Sequence, residues 1–261
     1  MADRPILFSG PMIQALLDGR KTQTRRVLRI PKGFTVENLA ESNPGYYSGM
    51  PGDASSWGDN FADDGGPMSL WELASLSFAA GDRLWVRETW SHTGDGVFEI
   101  HQARIAPTGR VIYAATPAPD APHAKYWPSI HMPREFSRLT LTVSDVRVER
   151  LGDISEADAI AEGATCRLEC SGCMGRYPGW SMDWSAVDKP SRFARNGGVL
   201  SECDISHGTP VAAFAGFINE LHDPRWNLKG DGIFGQNPWV VALTFTVAKA
   251  NIDALPKSEA A

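Results

Sequence analysis

The chain of 261 residues is 43% hydrophobic, enough to bury a proper core as one decorated domain or two small ones. A formal net charge of -6 excludes a broad electrostatic footprint on duplex DNA, where nonspecific affinity comes mainly from neutralised phosphates, but leaves a short single strand or a nucleoside open as ligand. No apolar run approaches membrane-spanning length and the start lacks a secretory pattern, so a cytoplasmic protein without a membrane partner is expected. In that reducing setting four cysteines read as metal ligands rather than disulfides.

In chain order, Pro5 to Phe8 reads as a short apolar strand. Ser9-Gly10-Pro11 then offers a helix cap with proline in the first turn, Ile13, Leu16 and Leu17 give that helix one apolar face, and Gly19 ends it. There follows Gly19-Arg20-Lys21-Thr22-Gln23-Thr24-Arg25-Arg26, an ammonium, two hydroxyls and several guanidiniums aimed by a strand and a helix. This positive field is local in an acidic protein, which suits an anionic or polar ligand held at one spot. Residues 31–80 are rich in Gly, Pro, Ser, Asn and Asp, with no sustained period, and read as an irregular excursion or lid.

Order resumes at Gly81-Asp82-Arg83-Leu84-Trp85-Val86-Arg87-Glu88-Thr89-Trp90, a turn and a strand with Leu84, Val86 and Glu88 on one face. Val97 to Gln102 and Arg110 to Ala115 are expected to be two further strands. His131 sits between Ile130 and Met132 after a Trp-Pro turn. Ser137 to Leu151 is the longest strand, with a phase slip at Asp145 that predicts a bulge or a barrel corner. Asp153 to Gly163 predicts a helix capped by Ser155, and Thr209-Pro210 starts another whose Val211, Phe214, Ile218 and Leu221 face a core. Trp239 to Val247 is a closing strand, followed by a frayed tail from Lys249. Short strands with two helices between them predict an α+β fold, a small β-barrel with flanking helices.

All four cysteines fall in residues 164–208. Cys166, Cys170 and Cys173 are close enough to converge on one tetrahedral ion, and Cys203 or His207 can close the shell. The expectation is a structural zinc that folds an insertion poor in apolar residues and does no catalysis.

The order of these pieces resembles the ASCH family of the PUA-like superfamily. The octet, the Gly-Asp-Arg-Leu-Trp-Val-Arg-Glu segment and the strand running into Ile154-Ser155-Glu156-Ala157-Asp158-Ala159-Ile160-Ala161-Glu162-Gly163 carry the likeness. Trp127-Pro128-Ser129-Ile130-His131-Met132-Pro133 and Asn237-Pro238-Trp239 look like the larger members carried by phages and prophages. The resemblance implies a PUA-like barrel over 1–163 plus 209–250, with 164–208 as a Cys-rich insertion and 251–261 as a tail. It also implies a cleft that accepts a nucleobase or single-stranded RNA. Small bacterial members hydrolyse N4-acetylcytidine, and their lysine, threonine and glutamate correspond to Lys21, Thr24 and Glu162, with Glu156 as an alternative acid one turn away.

The chemistry these residues permit is amide hydrolysis. Thr24 attacks the acyl carbonyl once a neutral Lys21 removes its proton, and Glu162 protonates the departing amine. Regular strand alternation sets Thr22 and Thr24 opposite Lys21, which keeps Thr22 in play as nucleophile unless the chain turns between them. Arg25, Arg26, Glu88, Trp90 and His131 are the expected substrate contacts, with Glu88 alternatively a structural partner for one of the octet arginines and Trp90 alternatively core. A noncatalytic module that binds RNA or a modified base is the second reading, and a ribonuclease the third.

Overall fold

The computed structural model describes residues 2–28, 78–116, 118–121, 125–167, 179–190, 198–222 and 232–256. Most of the 31–80 excursion lies outside the described residues. Nine strands are described: β1 (Asp3–Leu7), β2 (Gln23–Val27), β3 (Arg83–Arg87), β4 (Trp90–His92), β5 (Val111–Tyr113), β6 (Thr140–Arg150), β7 (Thr165–Arg167), β8 (Gly179–Ser181) and β9 (Trp239–Ala248). The helices are α1 (Gly10–Leu17), α2 (Ile100–Ile105), α3 (Glu156–Ala161), α4 (Glu202–Ile205), α5 (Pro210–Leu221) and α6 (Gly232–Gln236). Among the described residues no helix is long and apolar enough to cross a membrane.

The main sheet has five strands in the order β1-β3-β6-β9-β2, with β1 and β3 parallel and the other neighbours antiparallel. It is an open sheet, which corrects the expected barrel: β1 and β2 form its two ends and do not pair. Closure needs the end strands to exchange backbone hydrogen bonds. Here the Leu7 carbonyl instead accepts a hydrogen bond from the Arg26 side chain at 2.6 Å. Pro5, which has no N–H to give, lies on the edge strand β1, where that loss is tolerated.

The bulge comes where the phase slip predicts it. Val143 pairs with Phe245 and Asp145 with Thr244, leaving Ser144 as the extra residue of β6. Helix α1 packs its buried Met12, Ile13 and Leu16 against Leu84, Val86, Leu141, Leu243 and Phe245 of the sheet. Full burial of a residue such as Ile13 or Leu16 stabilises by about 1.5–3 kcal/mol. A second core joins α3, α5 and the segment around β8 through Ala159, Phe214, Ile218 and Met182, so the described part of the 164–208 stretch shares its packing with the rest of the chain.

Two local expectations change. Val97 to Gln102 does not form a strand: Gln102 Oε1 accepts from the Phe98 and Glu99 backbone N–H groups at 2.8 and 2.9 Å, completing a capping box that starts α2. The tail is docked as far as residue 256, because Ile252 is fully buried and Asp253 pairs with Arg134, which also holds Asp3. The two expected helix starts form as read, with the Ser155 hydroxyl accepting from Asp158 N and the Thr209 hydroxyl from Ala212 N.

Candidate functional site

The octet is shaped by the end of α1. Gly19 takes a φ of 73°, and the chain doubles back so that the N–H groups of both Arg20 and Lys21 donate to the Ala15 carbonyl. Strand alternation begins only at Gln23, so it does not govern Lys21. The turn sends the Lys21 side chain into the protein, where it is fully buried, while Thr22 is exposed and Thr24 is buried at 1% exposure. The two hydroxyls therefore differ: Thr24 Oγ1 is enclosed and has no hydrogen-bond partner among the described residues.

Lys21 Nζ lies 2.5 Å from Glu162 Oε2 and 2.9 Å from the Glu162 carbonyl. Glu162 follows α3 directly and is 1% exposed, whereas Glu156 is exposed, so Glu162 is the acid that meets the lysine. Its other oxygen accepts from Arg25 Nη1 at 3.2 Å. Arg25 in turn contacts Glu149 at 2.7 Å and Asp158 at 3.1 Å. Asp158 also meets Arg147, which reaches Asp145 and Glu149 as well, so three basic side chains meet four carboxylates. Asp145, Arg147, Glu149 and Asp158 are the members that sequence reasoning missed. Asp158 stands one helical turn before Glu162, a spacing that places both on one face.

Burial pulls the Lys21 amine below the usual lysine value; the Glu162 carboxylate opposes this, and the charges of Arg26 and Arg25 add to it. Burial works to raise Asp158, but hydrogen bonding with Gln23 and the charge of Arg25 hold it below the ordinary carboxylate value. The close approach of α3's end to α1 depends on Gly163, whose φ is 117° and where an added Cβ would stand 3.2 Å from Ala15 Cβ and 3.9 Å from Lys21 Cβ. Gly163→Ala is expected to cost about 1–3 kcal/mol through strain at that φ, read as a lower urea midpoint with an unchanged m-value.

The remaining expected contacts separate. Arg26 lies over the Phe8 ring at 4.9 Å, and Lys21 Nζ lies 5.7 Å from the same ring centre. Glu88 is buried and forms a two-pronged pair with Arg138, both contacts at 2.8 Å, so its partner is not an octet arginine. Burial raises its pKa, and the Arg138 hydrogen bonds counter that. Trp90 is fully buried and packs on Trp127 and Phe136 with ring centres 4.7 and 5.1 Å away, which leaves no face for a base. His131 is exposed in a short turn, Ser129–His131, outside the Lys21 network.

Of the expected zinc ligands, Cys166, Cys203 and His207 fall within the described residues. Cys203 is disulfide-bonded, which removes its thiolate from a ligand set. Cys166 is a free, exposed thiol. Cys170 and Cys173 lie outside the described residues. His207 packs onto α5, where a Cβ added at Gly216 would come within 2.9 Å of its ring. Among the described residues no group of three or more His, Cys, Asp or Glu is placed to hold a metal ion.

A shallow, tightly closed cleft borders Glu162 between Pro11, Met12, Met182 and Phe217. Lys21 and Glu162 thus form a desolvated amine–carboxyl pair, and Thr24, three residues along the chain from Lys21, carries an enclosed, unpartnered hydroxyl; an amine, a carboxyl and a hydroxyl are residue types that acyl transfer uses. Comparison with protein-family models, with curated proteins and with solved structures finds no match.

Proposed function

We propose that the protein is a cytoplasmic amidohydrolase that removes the N4-acyl group from an N4-acylcytosine nucleoside such as N4-acetylcytidine. The carrying observation is the buried Lys21–Glu162 pair at 2.5 Å, together with the enclosed, unpartnered hydroxyl of Thr24. The resemblance of the octet and of the segment ending in Glu162 to the ASCH family supplies the substrate class.

In the reaction, neutral Lys21 takes the Thr24 hydroxyl proton as Oγ1 attacks the acyl carbonyl. The C–N bond breaks as that proton passes through the Lys21–Glu162 contact to the departing exocyclic amine. Water, deprotonated by the same pair, then releases the acid from Thr24. Proton transfer contributes about 10²–10⁴-fold in rate. Arg25 is held by three carboxylates and positions Glu162 rather than binding substrate.

The test is to incubate the pure protein with N4-acetylcytidine and follow cytidine by chromatography. Turnover is expected, lost in Lys21→Ala, and its rate is expected to rise with pH as Lys21 deprotonates at its lowered pKa. A folded protein that leaves N4-acetylcytidine and other N4-acylcytosines untouched would move the reading to noncatalytic binding of RNA or a modified base.

A further inference from the structure

The charged residues of the octet do not end in equivalent states. Arg20 pairs with Asp18 at 3.0 Å, Lys21 with Glu162 at 2.5 Å, and Arg25 with Glu149, Asp158 and Glu162. Around Arg25, the side chains of Lys21, Arg25 and Arg147 meet the carboxylates of Asp145, Glu149, Asp158 and Glu162, and Arg26 forms none of these ion pairs. Arg26 hydrogen-bonds one backbone carbonyl, that of Leu7, and lies over Phe8; among the described residues it forms no ion pair, and the Glu162 charge acts on it only to oppose the lowering of its pKa by burial. A guanidinium carries five N–H donors in a planar fork suited to two oxygens of one anion. One carbonyl leaves most of that fork unused.

What surrounds Arg26 points the same way. Thr24, two residues earlier on β2 and therefore on the same strand face, is 1% exposed with its hydroxyl unpartnered. Ser9, next to Phe8, also has an enclosed hydroxyl without a partner, and it does not cap α1. Lys21 Nζ shares the Phe8 ring with the guanidinium. His222, at the end of α5, is half-buried and close enough to Arg26 for its charge to be felt there; burial and then that charge lower the histidine's pKa. Arg26 thus shares its strand face with an unpartnered hydroxyl and forms no ion pair of its own, a costly arrangement unless a ligand completes it.

We propose that Arg26, aided by His222 and Ser9, binds a phosphate group of the ligand, so that the preferred substrate is a phosphorylated cytosine derivative rather than the free nucleoside. The anion site stands on Arg26's own surroundings; only the identity of the attached base rests on the hydrolase reading. Free nucleotide and a nucleotide within RNA present the same phosphate chemistry.

The test uses the intact protein and three probes, cytidine, cytidine 5′-monophosphate and a short single-stranded oligocytidylate, with binding measured by calorimetry. Wild-type protein is expected to bind the monophosphate about ten-fold or more tighter than cytidine, a difference of ~1.4 kcal/mol. Arg26→Met keeps the stem over Phe8 and removes the charge, and it is expected to erase that preference. His222→Gln is expected to reduce it. An oligocytidylate that binds with the same Arg26 dependence, and tighter than the monophosphate, identifies RNA as the source of the phosphate. Equal binding of cytidine and its monophosphate by wild-type protein overturns the proposal even if the variants do not fold. So does a preference that survives in a folded Arg26→Met. Arg26-dependent phosphate binding without hydrolysis of any N4-acylcytosine removes the hydrolase reading and leaves the anion site standing.

Discussion

Thr24→Ala is expected to abolish release of cytidine from N4-acetylcytidine, while Thr22→Ala leaves the rate within about two-fold, since surface substitutions away from special features change little. The two residues lie two positions apart and differ in one respect that matters. Thr24 is 1% exposed with an unpartnered Oγ1, whereas Thr22 is exposed and engages its surroundings through its backbone, donating to Ala161 O and accepting from Phe245 N. Because the Thr24 hydroxyl makes no hydrogen bond, its removal forfeits none, and the variant should keep its fold. Thr24→Val, which keeps the shape and loses the hydroxyl, should be equally inactive. Equal losses in Thr22→Ala and Thr24→Ala, or full activity in Thr24→Val, would remove Thr24 as nucleophile.

The second large effect is on stability. Glu162→Ala leaves Lys21 without its carboxylate and takes one of three from Arg25, so about 3–5 kcal/mol should be lost. Both partners are essentially unexposed, at 0% and 1%, and solvent screens little of this. Lys21→Met is expected to cost much less, because Glu162 keeps Arg25 at 3.2 Å and the methionine fills the lysine's space. Urea unfolding of both single variants and the double variant yields the coupling between them. Near-equal costs for the two single changes would mean that Arg25 does not hold Glu162 in the absence of the lysine.

The same pair fixes a pH dependence. In the folded protein burial makes Lys21 titrate below the ordinary lysine value of 10.5. Between its folded and unfolded pKa values the unfolded chain binds more protons, so stability rises with pH across that window and levels off above the unfolded value. Lys21→Met should remove this slope. A wild-type profile that falls through the same window would mean that the pair holds its charges more tightly than burial disfavours them.

Much of the local structure was legible in the sequence. Ser155 and Thr209 each have a helix to cap, the phase slip at Asp145 marks a bulge, and Gly19 can turn because it has no Cβ. Such features depend on residues a few positions apart, and their stereochemistry is written in adjacent side chains. The capping box of Glu99 and Gln102 was equally local, but the apolar pattern of residues 97–102 masked it.

Tertiary structure alone decided the rest. Whether the sheet closes depends on how β1 and β2, sixteen or more residues apart along the chain, meet across α1, and there the Arg26 side chain takes the Leu7 carbonyl that a strand would need. The sequence placed Lys21, Thr24 and Glu162 on a list; the buried 2.5 Å contact across a separation of 141 residues made two of them a pair. The same holds for the arginines, adjacent and chemically identical in sequence. Arg25 faces three carboxylates and is committed to the protein, while Arg26 faces an aromatic ring and one carbonyl and remains available. A strand turns neighbouring side chains to opposite faces, and what waits on each face is supplied by distant parts of the chain.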